Sequence, residues 1–134
     1  MKHLAIFEQR EIIEKILKGE KTMEARFSRH RSLPYERIKK GDEIYLKISG
    51  GAILGKVSVD NVLFYENLTP EMLGKIRKEY NDELKMNESF WHRVGGNKSQ
   101  FVSLIFLKNP QPFLSKIKYP KHDRRSWVIL EEEK

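Results

Sequence analysis

Short segments with the two-residue period of β-strands constrain the fold of this chain more than any other feature of its sequence. In Thr22–Phe27, the apolar side chains Met23, Ala25 and Phe27 fall on one face and polar side chains on the other, as in a half-buried strand. The other segments predicted as strands are His3–Phe7, Glu43–Ser49, Ala52–Phe64, Phe101–Leu107 and Trp127–Leu130. Several short strands with few helices are typical of a small mixed barrel, and we expect one domain over residues 1–134.

Two helices are predicted between these strands. Gln9–Lys18 carries an apolar stripe at helical spacing, and Gly19 follows it as the residue that ends the helix. The second helix starts at Thr69, which is a favourable N-cap, and Pro70 suits the first helical position. Residues 88–100 show no clear periodicity, so we assign them no element.

Glycine and proline mark the predicted interruptions of these elements. Gly50-Gly51 predicts the turn of a long hairpin, and Gly55 in its second strand predicts a bulge or a close approach of another backbone. Ser28–Lys40 is basic and contains a proline, so we expect a loop with a short helical turn. Asn109–Pro112 is predicted to break the chain.

Composition excludes several classes of site. The chain has 134 residues and no cysteine, which excludes a disulfide scaffold, a thiolate zinc site and a cysteine nucleophile. No stretch is long and apolar enough for a signal peptide or a membrane span, so we expect a cytosolic protein. The four histidines, His3, His30, His92 and His122, lie far apart in sequence. Their spacing is not that of metal ligands, so we predict no metal. The chain has no phosphate-loop pattern, so we predict no nucleotide cofactor either.

The chain is basic, and its positive charge lies ahead of the last four residues. The net charge is +7; Glu131, Glu132, Glu133 and Lys134 contribute −3 and +1, so the other 130 residues carry +9. The tail 131–134 is expected to be solvated. This surplus favours an anionic partner, nucleic acid first of all, whereas the alternative is that the charge serves only solubility.

A motif across the predicted helix-to-strand turn resembles that of a known family. Gly19–Arg26 reads Gly-Glu-Lys-Thr-Met-Glu-Ala-Arg and resembles the G-x-K-x-x-E-x-R signature of the ASCH domain family, within the PUA-like superfamily. Lys40–Ile44 resembles the Gly-Asp turn that opens the family's next strand. Ile53–Val57 resembles its strand after the hairpin, and Arg125–Val128 resembles its closing strand. The resemblance therefore extends over nearly the whole chain.

The resemblance implies an α+β fold. This is a PUA-like pseudo-barrel, a mostly antiparallel, curved sheet with two or three helices at the rim. It also implies an RNA-binding cleft beside the turn from the first helix into the next strand. Some small bacterial members are amidohydrolases that remove the acetyl group from N4-acetylcytidine, and others have been associated with ribonuclease activity. A fold shared this widely does not by itself fix the function.

Lys21, Glu24 and Arg26 are the candidate site residues within this motif. Glu24 and Arg26 point the same way on a strand, about 7 Å apart along the chain. A carboxylate between two cations can bind a phosphate or a base edge, and it can carry out acid–base chemistry if burial shifts a pKa. The alternative from spacing alone is a structural ion pair on a solvated strand face.

The amidohydrolase interpretation meets a departure from the pattern of those enzymes. They resemble this chain at Lys21, but a threonine proposed as their nucleophile stands at the position of Glu24. Their third catalytic residue, a glutamate beyond the hairpin, aligns with no particular acid between Glu66 and Glu88. If the chain is an enzyme, Lys21 and Glu24 are the predicted catalytic residues.

Three further features are candidates for contact with nucleic acid. Arg29 and Arg31 follow the motif strand and are predicted to contact phosphates, with His30 between them as a possible acid or base. Lys47, near the hairpin, is a candidate neighbour of the cleft. The segment Lys116–Arg125 combines cations with Tyr119, as single-strand binding surfaces do. A solvated basic loop is the alternative for both loops, and Phe90 and Trp91 are expected to pack in the core.

Three functions remain open at this stage. The first is an RNA-binding module, monomeric, whose cleft recognises RNA or a nucleobase. The second is an enzyme that uses the same cleft on a modified nucleoside or an RNA phosphodiester. The third is a protein–protein adaptor. Turnover distinguishes the second from the first, and loss of all RNA affinity at low salt favours the third.

Overall fold

The structure is a computed structural model that describes residues 1–96, 98–121 and 123–131. The predicted solvated tail falls on residues 132–134 for the most part, and these lie outside the described residues, as does His122. The described part of the chain contains six strands and three helices in this order: β1 (Lys2–Phe7), α1 (Arg10–Leu17), β2 (Met23–Ser28), β3 (Glu43–Ile48), β4 (Ile53–Glu66), α2 (Pro70–Leu84), α3 (Glu88–Gly96), β5 (Phe101–Ile117) and β6 (Trp127–Glu131).

The six strands form one mixed sheet that curls into a half-barrel. Their order is β2-β5-β4-β3-β1-β6. β1 pairs with β3 in parallel, and every other neighbouring pair is antiparallel. The sheet therefore ends in two edges, β2 on one side and β6 beside β1 on the other. This arrangement confirms the predicted α+β fold with a mostly antiparallel, curved sheet and up to three helices.

Two apolar clusters lie on the two faces of this sheet. The first joins α1 to five strands through buried side chains such as Ile13, Leu46 and Trp127. The second joins β2 and β5 to α2 and α3, with Trp91 and Leu104 among its members. Trp91 and Trp127 are 6% and 2% exposed, which confirms the core position expected for Trp91.

Local signals at the ends of the helices act as the sequence predicts. Gly19 follows the C-cap residue Lys18 of α1 and has a φ of +77°, and a glycine reaches this conformation without strain. The Thr69 hydroxyl accepts a hydrogen bond from the amide of Met72 at 3.1 Å. No helix in the described ranges is both long enough and apolar enough to cross a membrane.

The sequence-based assignment was wrong for Asn109–Pro112, where β5 continues to Ile117. β5 pairs with β2 only as far as Phe106, so beyond it the outer edge of β5 has no partner among the described strands. A proline without an amide hydrogen is tolerated on such an edge. Residues 88–96, which were assigned no element, form α3 because its apolar face packs in the second cluster.

Candidate nucleic-acid interface

A cavity of about 490 Å³ opens where the two edges of the curled sheet face each other. β2 supplies one wall, the end of β1 and the start of α1 supply a second, and the segment between α2 and α3 supplies a third. Ser126, directly before β6, also lines it. Because β2 is not joined by backbone pairing to β1 or β6, the gap between β2 and the end of β1 leaves room for a ligand.

The turn after α1 directs the motif into this gap. The amides of Glu20 and Lys21 both donate to the backbone oxygen of Lys15, at 2.9 and 3.0 Å, so the chain reverses within one turn. The amide of Thr22 then donates to the backbone oxygen of Glu83 at 3.1 Å. These bonds place the Lys21 side chain between β2 and the end of α2.

Lys21 and Glu24 form a buried ion pair at the floor of the cavity. The two residues are 2% and 4% exposed, and Lys21 Nζ lies 3.4 Å from Glu24 Oε1. Nζ also donates a hydrogen bond to the backbone oxygen of Leu84. Burial lowers the pKa of the Lys21 ammonium, while the Glu24 carboxylate opposes this change. A lysine in such a setting is better suited to proton transfer than an exposed one.

Glu24 keeps acceptor capacity towards the cavity. Its Oε1 accepts a hydrogen bond from the Ala25 amide at 3.1 Å, and its Oε2 accepts one from Arg26 Nε at 3.1 Å. A carboxylate offers about four acceptor positions, so these two bonds and the contact with Lys21 leave one for a ligand. Glu24 is buried on the face of β2 whose polar side chains the alternating pattern assigned to solvent, and Arg26 and Ser28 on that face are partly buried.

Arg26 bridges the two edges of the sheet. Its Nη1 donates to the backbone oxygen of Ser126 and its Nη2 to that of Ile6, each at 3.2 Å. The guanidinium carbon also lies 4.7 Å from the ring centre of Phe7 and 5.2 Å from that of Trp127. With Nε bonded to Glu24, three of the five donors of Arg26 serve the protein itself.

The segment between α2 and α3 is fixed by Asn81. Its side chain exchanges two hydrogen bonds with the backbone of Met86 and accepts a third from Trp91 Nε1, all at 3.1 Å. Asn87 then caps α3 by accepting from the Phe90 amide at 2.8 Å. This part of the chain therefore reaches the cavity as a fixed rim.

Sequence reasoning missed most of this rim. Lys85, Asn87 and Arg93 line the cavity, and Arg93 lies with its guanidinium carbon 5.5 Å from the ring centre of Phe90. Phe90 packs against the second cluster, as expected, and its partly exposed side also lines the cavity. The only local signal was the asparagine three residues ahead of Phe90, which is a capping pattern.

The charges around the cavity are of both signs. Three exposed or partly exposed cations on the rim, Lys15, Lys85 and Arg93, accompany the buried Lys21 and Arg26. Glu8 and Glu11 line the α1 side. Negative groups of a ligand are therefore favoured on the sides away from these two carboxylates.

Three of the predicted site residues lie away from the cavity lining. Arg31 forms ion pairs with Glu36 and Glu66. Its guanidinium carbon lies 5.4 Å from the ring centre of Tyr35 and 5.4 Å from that of Phe101.

Lys47 is 3% exposed and donates to the backbone oxygen of Ile48 at 3.1 Å. Arg29 and His30 lie exposed on the loop after β2. The cavity therefore brings together Lys21, Glu24 and Arg26 but not Arg29, Arg31 or Lys47. Within the described residues no group of three or more His, Asp or Glu side chains is arranged to hold a metal ion.

Comparison with solved structures finds chains of the same fold. The crystal structure of ASCH from Zymomonas mobilis matches with a TM-score of 0.73 and 15% identity, over 97% of this chain and 87% of that chain. A mutant of the same Zymomonas mobilis protein has the same TM-score and identity, with 97% and 90% covered.

The crystal structure of a hypothetical protein, PH0355, matches at a TM-score of 0.50 and 20% identity, over 84% of this chain and 100% of that chain. No family model matches the sequence, and neither does any curated protein. The fold of this chain is therefore that of the ASCH domain proteins, as the resemblance around residues 19–26 implied.

Proposed function

We propose that the chain binds RNA and accepts one nucleobase in the cavity between β2 and β1. The observation that carries this proposal is the position of Glu24, a carboxylate with spare acceptor capacity at the floor of a 490 Å³ cavity. A cavity of this size lies within the range of small-molecule pockets and suits a single nucleoside. A polymer would then continue over the basic rim.

Each part of the cavity matches one part of a nucleotide. Glu24 accepts a hydrogen bond from an exocyclic amino group, as acidic side chains do with cytosine. Phe90 offers a ring on which the base stacks. Lys15, Lys85 and Arg93 contact phosphates, which makes the affinity depend on salt.

A titration with a fluorescent pool of single-stranded RNA at two salt concentrations tests this function. Glu24→Gln keeps the shape of the side chain but removes the charged acceptor, and we expect its affinity to fall by about 5- to 150-fold. Glu36→Gln is the matched control, because Glu36 is exposed and does not line the cavity. Absence of RNA binding at low salt, or equal affinity of the two variants, would contradict the proposal and favour the adaptor.

A second candidate function is hydrolysis in the same cavity, and the buried Lys21 favours it. Its amine contacts Glu24, and burial lowers its pKa, which suits a general base. The substrate would be a modified nucleoside or an RNA phosphodiester.

Mass spectrometry of the titrated samples separates the two functions. Deacetylated nucleoside or cleaved RNA that forms with the wild type and is lost in Lys21→Met, with binding retained, identifies an enzyme. Intact RNA in every sample identifies a binding module.

A further inference from the structure

We propose that the basic segment before β6, residues 116–121 and 123–125, continues the base cavity into a surface for single-stranded RNA, so that the ligand is a polymer and not a free nucleoside. This inference rests on the proposed function of the cavity. The segment begins with the last two residues of β5 and ends directly before Ser126, which lines the cavity.

The end of the basic segment is fixed at the rim of the cavity. Ser126, the next residue, lines the cavity. Its backbone oxygen accepts hydrogen bonds from Arg26 Nη1 at 3.2 Å and from the amide of Ile6 at 3.0 Å. The side chains just before Ser126 are therefore held within reach of the nucleotide next to one bound in the cavity.

The single acid of the segment is engaged within the segment. Asp123 accepts hydrogen bonds from Arg125 Nε and Nη2 at 3.0 and 2.8 Å, and it pairs with Lys121 at 2.8 Å. These two cations hold the pKa of the Asp123 carboxyl well below its usual range. The carboxylate consequently shapes the segment and its charge is compensated there, so it does not repel a phosphate.

Three cations of the segment remain available to a ligand. Lys116, Lys118 and Arg124 are exposed, and none of them forms an ion pair with another described residue. Tyr119 lies among them and is 36% exposed. Exposed cations around an accessible ring are the combination that binds single strands, with phosphates on the cations and a base on the ring.

Two carboxylates at the start of α1 disfavour the backbone of a polymer beside them. Glu8 and Glu11 line the cavity on the α1 side, where they repel phosphates. The path that we propose for a strand avoids these two carboxylates and leads from the cavity past Ser126 along the basic segment. A free nucleoside would make no use of these cations.

Oligoribonucleotides of increasing length test the inference. We expect the wild type to bind fluorescein-labelled single strands of random sequence more tightly as the length rises from three to nine nucleotides. The four unmodified nucleosides should compete at least about tenfold more weakly than the longest strand. The logarithm of the association constant falls linearly with the logarithm of the salt concentration. In the triple variant Lys116→Gln, Lys118→Gln and Arg124→Gln, the magnitude of this slope should decrease by about 2, because each phosphate contact contributes about 0.7 for single strands.

A second triple variant removes the same charge elsewhere. Lys40→Gln, Lys75→Gln and Lys78→Gln replace exposed lysines that do not line the cavity, and the salt slope of this control should stay close to that of the wild type. Equal slopes in the two triple variants, or nucleosides that compete as well as nine-nucleotide strands, would overturn the inference. If Glu24→Gln still weakens binding in that case, the cavity proposal stands and only the extension fails; if no RNA binds the wild type, the proposed function itself fails.

Discussion

At the scale of single residues, Arg26 has a structural role beyond the ligand contact predicted for it. The sequence suggests a side chain that contacts nucleic acid, whereas its guanidinium bonds to Glu24 and to the backbone of Ile6 and Ser126. Its planar fork reaches two carbonyls and a carboxylate at once, which a lysine ammonium on a flexible stem does not match. Arg26 thus links the edges of the half-barrel and orients the carboxylate at the cavity floor.

Arg26→Lys should destabilise the protein although the charge is kept. We expect the free energy of unfolding to fall by about 2–3 kcal/mol, because two hydrogen bonds to backbone oxygens are lost, one of them partly buried. Urea denaturation followed by circular dichroism measures this change. Arg31→Lys is the control. The Arg31 side chain is 56% exposed and makes surface ion pairs, so this substitution should lower the free energy of unfolding by less than about 1 kcal/mol. Equal losses in the two variants would show that Arg26 does not link the edges.

At the scale of elements, α1, β4 and β5 approach one another closely at Gly55. A Cβ at this position would lie 2.6 Å from the backbone oxygen of Gln111 and 2.7 Å from Leu17 Cδ2. β4 and β5 also shift their register here, between Ile53 and Gly55. The predicted bulge or close approach is therefore confirmed, and it is the reason that α1 can pack on this end of the sheet.

Gly55→Ala should cost about 1–3 kcal/mol of stability, since the clash with a backbone oxygen cannot be relieved by a rotamer change. Gly74→Ala is the matched control within α2, where a Cβ would meet nothing within 4 Å. That substitution should add about 0.5–1 kcal/mol, because alanine favours a helix more than glycine does. Thermal or urea unfolding should show a lower stability for Gly55→Ala and a higher one for Gly74→Ala than for the wild type. A stabilised Gly55→Ala would mean that the three elements do not approach this closely.

Elements were predictable wherever their signals are local. Gly19, Thr69 and the alternation within Thr22–Phe27 each depend on neighbours in sequence, and the structure has α1, α2 and β2 at these places. The continuation of β5 through Pro110 was not predictable, because it depends on where β2 stops pairing with β5. The residues of the cavity were likewise predictable only where their signal is local in sequence. The motif Lys21–Arg26 was evident, whereas the rim around Lys85 depends on how Asn81 folds the chain between two helices.

At the scale of the whole molecule, a buried chain of hydrogen bonds ties together three distant parts of the sequence. Trp127 Nε1 donates to His3 Nδ1 at 3.0 Å, and His3 Nε2 lies 2.9 Å from Asp42 Oδ2. Since the indole nitrogen only donates, His3 must carry its proton on Nε2 and donate it to Asp42. These hydrogen bonds join β6, β1 and the turn before β3. The guanidinium of Arg26 lies over the ring of the same Trp127.

This chain of hydrogen bonds predicts a pH dependence of stability. Burial lowers the pKa of His3 below its ordinary value of 6.5, although Asp42 opposes the change. A group whose pKa is lower in the folded state stabilises the fold above its unfolded value, and this contribution is lost as the pH falls through the folded value. The free energy of unfolding should therefore decrease below pH 6.5, by at most about 1.4 kcal/mol per pH unit for one proton.

His3→Gln tests this prediction, because a glutamine amide can donate to Asp42 but does not titrate. Asp42 stays ionised throughout the range: burial alone would raise the pKa of its carboxyl, but the hydrogen bonds from His3, the Lys39 amide and the N-terminus lower it below 3.8. Urea unfolding at intervals between pH 5 and 7.5 should give a flatter curve for His3→Gln than for the wild type, and an unchanged one for His30→Gln, whose side chain is exposed. A wild-type slope in His3→Gln would mean that another group causes the acid sensitivity, and the prediction would fail.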